Sequence, residues 1–136
     1  MRALAPRASV LILESAARPL GKVLISGGGR CNVTHDLNDL DQLLGYYPRG
    51  GPALASILRR FMPADTVKWF ESRGVELKTE ADQRMFPVTD RSQSIVDCLV
   101  KEASRLGVAI RPGSPVTSIT PGPEGYLIQS KSNRFV

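Results

Sequence analysis

Two stretches of this sequence hold residues whose types and spacing suit chemistry. Glu14 closes the continuous apolar run Val10–Leu13. A carboxylate at the carboxyl end of a buried parallel strand can accept hydrogen bonds from both hydroxyls of a ribose. Many strands also end in a charge where they reach solvent, so Glu14 taken alone leaves both readings open. Further on stands Ser26-Gly27-Gly28-Gly29-Arg30-Cys31-Asn32. Three glycines let the backbone approach a phosphate, a ribityl chain or a flat ring without side chains in the way. The same three would serve a tight turn. The loop is not a Walker loop, because no Gly-Lys-Ser or Gly-Lys-Thr follows, and a dinucleotide fingerprint would need its third glycine where Asn32 stands.

Cys31 and His35 adjoin this loop. A redox thiol needs a resolving partner, which the sequence does not set beside Cys31, and a small residue filling a tight loop explains it as well. His35, the single imidazole, either moves a proton or begins the next segment at the surface, and no catalytic role is assigned to it. Two separated cysteines and one histidine exclude a Cys/His zinc site, so no metal is expected.

The chain of 136 residues is 42% hydrophobic and 23% charged, a globular composition long enough for a core without disulfides. No apolar run reaches the roughly 18 residues of a membrane span, and the segment Met1–Arg7 lacks the apolar stretch of a secretory signal. Free thiols suit the cytoplasm or a reducing organelle interior. Eighteen basic against thirteen acidic residues give +5, but the arginines are scattered from Arg2 to Arg134 with one adjacent pair, Arg59-Arg60. That spread points to a solvated basic surface and not to nucleic-acid binding.

The elements that must position these residues read as α/β. Val10–Leu13 has the unalternating pattern of a strand covered on both faces, and a second apolar run, Lys22–Ile25, leads into the glycine loop. Pro52 opens a helix carrying Leu54, Ile57, Leu58 and Phe61, and Pro63 opens another carrying Val67, Trp69 and Phe70, closed by Gly74. Val75–Lys78 and Arg84–Val88 form a hairpin or an extended loop. A helix from Ser92 to Leu106, Gly107 and the strand Val108–Ile110 make half of a βαβ unit, with strands Val116–Thr120 and Tyr126–Ser130 after it.

The string Gly21-Lys22-Val23-Leu24-Ile25-Ser26-Gly27-Gly28-Gly29-Arg30-Cys31-Asn32-Val33-Thr34 resembles the signature of the aminoacetone-oxidase-like, HI0933-like FAD-dependent oxidoreductases. Glu80 with Arg84-Met85-Phe86-Pro87-Val88-Thr89-Asp90 resembles that family's second recurrent block, and the likeness runs from Val10 to about Ile119. The resemblance implies an α/β fold containing an incomplete Rossmann-like FAD-binding domain, of the two-dinucleotide-binding-domain flavoprotein type, with a helical segment in the middle. It implies FAD as cofactor, Glu14 on the adenosine ribose, the Ser26–Asn32 loop beside the cofactor, and Lys22 and Arg30 as positive charge near pyrophosphate or flavin. Val116 sits where related folds place an apolar residue near the adenine, through its backbone. The partners implied are FAD and a small-molecule substrate.

Set against that family, the first strand and its glycine fingerprint are expected before residue 1, and a second FAD contact and a substrate-side domain after Val136. Residues 1–136 are therefore expected to be one partial FAD-binding domain that holds FAD weakly or not at all when alone. The alternative is a truncated, non-catalytic fragment that pairs with another chain through an open sheet edge.

Overall fold

The computed structural model describes residues 8–123, 125–131 and 134–135. In chain order the elements are β1 (Leu11–Leu13), α1 (Gly21–Ile25), a 3-10 turn (Ser26–Gly29), β2 (Thr34–His35), α2 (Leu40–Gly45), α3 (Gly51–Leu58), α4 (Pro63–Glu71), β3 (Leu77–Thr79), β4 (Arg84–Pro87), α5 (Ser92–Arg105), β5 (Ala109–Arg111), β6 (Val116–Gly122), β7 (Gly125–Ser130) and β8 (Arg134–Phe135). They fall into two compact units, one of Met1–Gly21 with Leu99–Val136, the other of Lys22–Cys98.

In the first unit β1 and β5 pair in parallel, Ile12 opposite Ile110, as expected of strands joined by a helical crossover. Gly107 ends the crossover helix: it is left-handed (φ +67°), and the N–H groups of Gly107 and Val108 donate to the carbonyls of Ser104 and Ala103. The other edge of β1 pairs with no strand among the described residues, and Leu11 and Ile12 are 39% and 46% exposed. The strands β6, β7 and β8 form an antiparallel meander. Tyr126 and Ile128 lie opposite Pro121 and Ile119 there, so both tail strands stand where the apolar residues after each turn placed them.

The second unit is built on a three-stranded antiparallel sheet in the order β2-β4-β3, so the segment open between hairpin and loop is a hairpin. Central β4 carries the core: Met85, Phe86 and Pro87 are buried, Phe86 completely. The run Lys22–Ile25 forms the short helix α1. Its Leu24 carbonyl accepts a 2.7 Å hydrogen bond from the hydroxyl of Ser92, a buried residue at the start of α5. The Asp39 carboxylate caps α2 by accepting the Gln42 N–H, and Asn38 Oδ1 accepts the Ala64 N–H in the first turn of α4. Left-handed Gly74 ends that helix's last turn, with Gly74 and Val75 donating to Glu71 and Phe70.

One apolar stripe packs less than its spacing predicts. The helix α3 stops at Leu58 and tightens into three-residue turns, with Arg60 and Phe61 donating to Ile57 and Leu58, so Phe61 leaves the stripe. Leu54 and Leu58 are half-buried, whereas Ile57 and Phe61 are 62% and 51% exposed.

Candidate functional site

The glycine loop adopts a conformation that its composition permits and few other sequences would. Gly27, Gly28 and Gly29 are left-handed in succession, at φ +55°, +67° and +84°. Arg30 returns to the right-handed region and Cys31 is left-handed again at +62°, a conformation uncommon for a residue with a side chain. The Cys31 N–H closes the turn on the Ser26 carbonyl at 3.0 Å, and the Ser26 hydroxyl donates back to Val23. At Gly27 a Cβ would stand 2.9 Å from the Asn32 backbone nitrogen and 3.1 Å from Phe86 Cε1. At Gly28 it would meet nothing within 4 Å. Gly27 is therefore the packed side of the loop and Gly28 an open one.

Arg30 ties the loop to the hairpin. Its guanidinium lies over the Phe86 ring at 4.1 Å from the centroid, ion-paired to Glu80 and 3.7 Å from Asp90. Asp90 is paired in turn with Lys78 at 2.5 Å. The hydrogen bond that Arg30 donates to Glu80 is the largest of the influences raising its guanidinium above the usual value. The Lys78 hydrogen bond is the first of those holding the Asp90 carboxyl below the usual aspartate range, with the charges of Lys78 and Arg30 adding to it. A carboxyl lowered by folding stabilises the fold above its unfolded value, and that stability is lost as pH falls through the folded value. In acid titrations of Asp90→Asn against wild type, the stability gap should therefore be full at neutral pH and close below about pH 4. A gap that ignores pH would show that these ion pairs do not form.

Cys31 is buried, as is Cys98, and neither forms a disulfide. Burial suits the packing reading of Cys31, since a reactive thiol needs access. Asn32 is exposed at the end of the loop, and Lys22 is exposed on α1 with no side-chain hydrogen bond or ion pair among the described residues. His35 lies on β2 with its ring 5.6 Å from that of Tyr46. It lines a cavity of about 270 Å³ with Asp36, Pro63, Val67, Lys68 and Met85.

Glu14 and Val116 belong to the first unit. Glu14 directly follows β1; its N–H donates to Arg111 at 3.0 Å and its carbonyl accepts from Ser114 at 2.7 Å. Those bonds fix the backbone at the carboxyl end of the parallel pair. The side-chain oxygen Oε1 accepts from the Ala16 N–H at 2.8 Å and the Ser15 hydroxyl at 3.3 Å. Oε2 has no partner among the described residues. Glu14 also lines a mostly apolar cavity of about 250 Å³ with Ile12, Leu20, Leu99, Ala103 and Ile110. Val116, the first residue of β6, lies two residues beyond the Ser114 that binds the Glu14 carbonyl, and it is exposed.

The expected residues thus divide, with Glu14 and Val116 in one unit and Lys22 with Ser26–Asn32 in the other. Glu80 and Asp90 stood in the sequence only as members of a recurrent block. Their pairing with Arg30, 50 and 60 positions earlier, carries no sequence signal of its own. Among the described residues, no helix is long and apolar enough to cross a membrane.

A parallel strand pair with a helix leading into its second strand and a carboxylate at the carboxyl end of its first is an arrangement that Rossmann-type domains use. The family described as HI0933-like protein Rossmann domain matches residues 1–136, and the chain belongs to that family. It is 29% identical over 128 residues to the 3-dehydro-bile acid delta(4,6)-reductase of Clostridium scindens, covering 94% of this chain and 30% of that protein. It is 31% identical over 119 residues to the ribosomal RNA dihydrouridine synthase of Escherichia coli, covering 88% of this chain and 29% of that protein. The chain thus spans less than a third of the length of either relative.

Proposed function

We propose that this chain is part of the FAD-binding domain of a flavin-dependent oxidoreductase, and that Glu14 holds the adenosine ribose. The observation that carries the reading is the Glu14 carboxylate, at the end of a parallel strand with Oε2 free to accept from a diol. The fit extends to the glycine loop, where Gly28 leaves space on its outer side for a ring or ribityl chain. It does not extend to the pyrophosphate, because the fingerprint glycines are not among these 136 residues. Bound flavin would supply the transfer of an electron pair. The chain's own tasks are to orient the ribose through Glu14, to present the Ser26–Asn32 backbone, and to keep Lys22 as an unpaired cation nearby on the same unit as that loop.

One relative is named a delta(4,6)-reductase of a 3-dehydro-bile acid and the other a dihydrouridine synthase of ribosomal RNA. The reaction class proposed for the whole protein is a two-hydrogen reduction, the difference between a dihydrouridine and a uridine. The scattered arginines of this chain favour a small-molecule substrate. Two cysteines outside any disulfide favour a reducing compartment.

The test is an absorbance spectrum after incubation with FAD and removal of unbound cofactor. Protein of the relatives' length should retain flavin, while the 136 residues alone should retain little. In the longer protein Glu14→Ala should weaken FAD binding by about 1–3 kcal/mol, the worth of charge-assisted hydrogen bonds to the ribose. Unchanged affinity would remove Glu14 from the site, and a colourless full-length protein would remove the flavin.

A further inference from the structure

The four charges beside the glycine loop cancel: Arg30 and Lys78 against Glu80 and Asp90. Arg30, the one cation within Ser26–Asn32, is therefore already paired with carboxylates and does not stand as an open counter-ion. Its head group lies over the Phe86 face, and its Nη1 faces both carboxylates, with about a third of the side chain exposed. The backbone that carries those carboxylates is fixed in its turn. The Glu80 N–H donates to the Arg84 carbonyl at 2.8 Å across the β3–β4 turn, and the Asp90 N–H donates to Pro87 at 2.9 Å just beyond β4.

The loop is closed at its ends by the Cys31 bond to Ser26 and packs on Phe86 at Gly27, but its middle has fewer restraints. Three consecutive glycines carry no side-chain contacts, and the backbone bond from Arg30 to Gly27 is long at 3.4 Å. The clamp on the guanidinium is thus a further restraint on how the loop's backbone is presented, beside the Cys31 turn bond and the packing of Gly27. We propose that Glu80 and Asp90 are positioning residues: acting through Arg30, they hold the Gly27–Asn32 backbone, left-handed at its three glycines and at Cys31, against the cofactor. This rests on the flavin reading of the loop. A guanidinium suits the task because it is flat enough to stack on the Phe86 ring while its Nη1 faces two carboxylates, and an ammonium has no such plane. The loop then offers a ligand its backbone and not a free charge.

The experiment is hydrogen exchange by mass spectrometry on the full-length protein, wild type against Glu80→Gln, Arg30→Lys and the double variant Glu80→Gln/Asp90→Asn, with the visible spectrum of retained FAD recorded for each. Glu80→Gln should speed exchange in the Gly27–Asn32 peptide about fivefold, the equivalent of a partly exposed ion pair, while peptides from α4 keep their rates. Arg30→Lys and the double variant should do the same or more. The visible band of bound FAD should shift in each. Unchanged loop exchange in the double variant would overturn the proposal, as would acceleration spread evenly over the unit, since the carboxylates would then serve the fold alone. Faster loop exchange with an unmoved flavin band would also overturn it. Wild-type protein that retains no FAD would instead overturn the flavin reading, with the loop's response to Glu80→Gln still separating a held loop from a free one.

Discussion

Phe86→Ala is expected to destabilise the unit it belongs to by about 3–5 kcal/mol, the range for truncating a fully buried phenylalanine. Phe86 is 0% exposed at the centre of β4, the middle strand of its sheet, where Lys78 lies opposite it. Its ring supports Arg30 at 4.1 Å and Arg84 at 5.5 Å, and its Cε1 is one of the two atoms that crowd Gly27. The substitution therefore opens a cavity and also removes the surface on which the loop's arginine rests. Urea unfolding would read the loss as a lower midpoint at unchanged slope. Phe86→Leu separates the two effects, since it keeps much of the volume but has no aromatic face. It should cost about 1–2 kcal/mol, with faster exchange in the glycine loop. A Phe86→Ala cost below about 1 kcal/mol would mean that the core is not organised around this ring.

The parts of the fold legible in the sequence are those whose cause is local. Pro52 and Pro63 lie at the starts of α3 and α4, and Gly74 and Gly107 close helices with left-handed turns, because each of these residues favours or permits a conformation by its own covalent structure. The apolar positions of α5 have the same legibility: Ile95 and Val96 are buried where a period of 3.6 puts them. What could not be read depends on distant segments. Lys22–Ile25 is as apolar as a strand, yet it is a one-turn helix whose Leu24 carbonyl is satisfied by Ser92, 68 residues later. For the site, Glu14 at a strand end and the turn-forming glycines were legible. The Arg30 clamp was not, because a scattered Arg, Glu and Asp look alike whether solvated or paired. Cys31 shows the same limit, since nothing in its side chain announces a φ of +62°.

Gly27→Ala should cost about 2–5 kcal/mol, and its neighbour shows why. At Gly27 two penalties combine: about 1–2 kcal/mol for forcing an L-residue into the left-handed region, and about 1–3 kcal/mol for crowding a packed site. The second arises because the new Cβ would stand 2.9 Å from the Asn32 backbone nitrogen and 3.1 Å from Phe86, and neither a backbone atom nor a fully buried ring can give way cheaply. Gly28 has nearly the same backbone, φ +67° against +55°, but open space where its Cβ would be. Gly28→Ala should therefore cost only the conformational part, about 1–2 kcal/mol. The difference between the two midpoints in urea isolates the close approach of loop to hairpin, and equal midpoints would show that no such approach exists. FAD retention should rank the pair the other way. A methyl at Gly28 projects from the loop's open side, where the proposed cofactor would lie, so a Gly28→Ala protein that is nearly as stable as wild type yet loses flavin would locate the ligand on that face. Full retention in Gly28→Ala would instead turn the loop's open side away from the cofactor and leave the triple glycine as a turn that packs on Phe86.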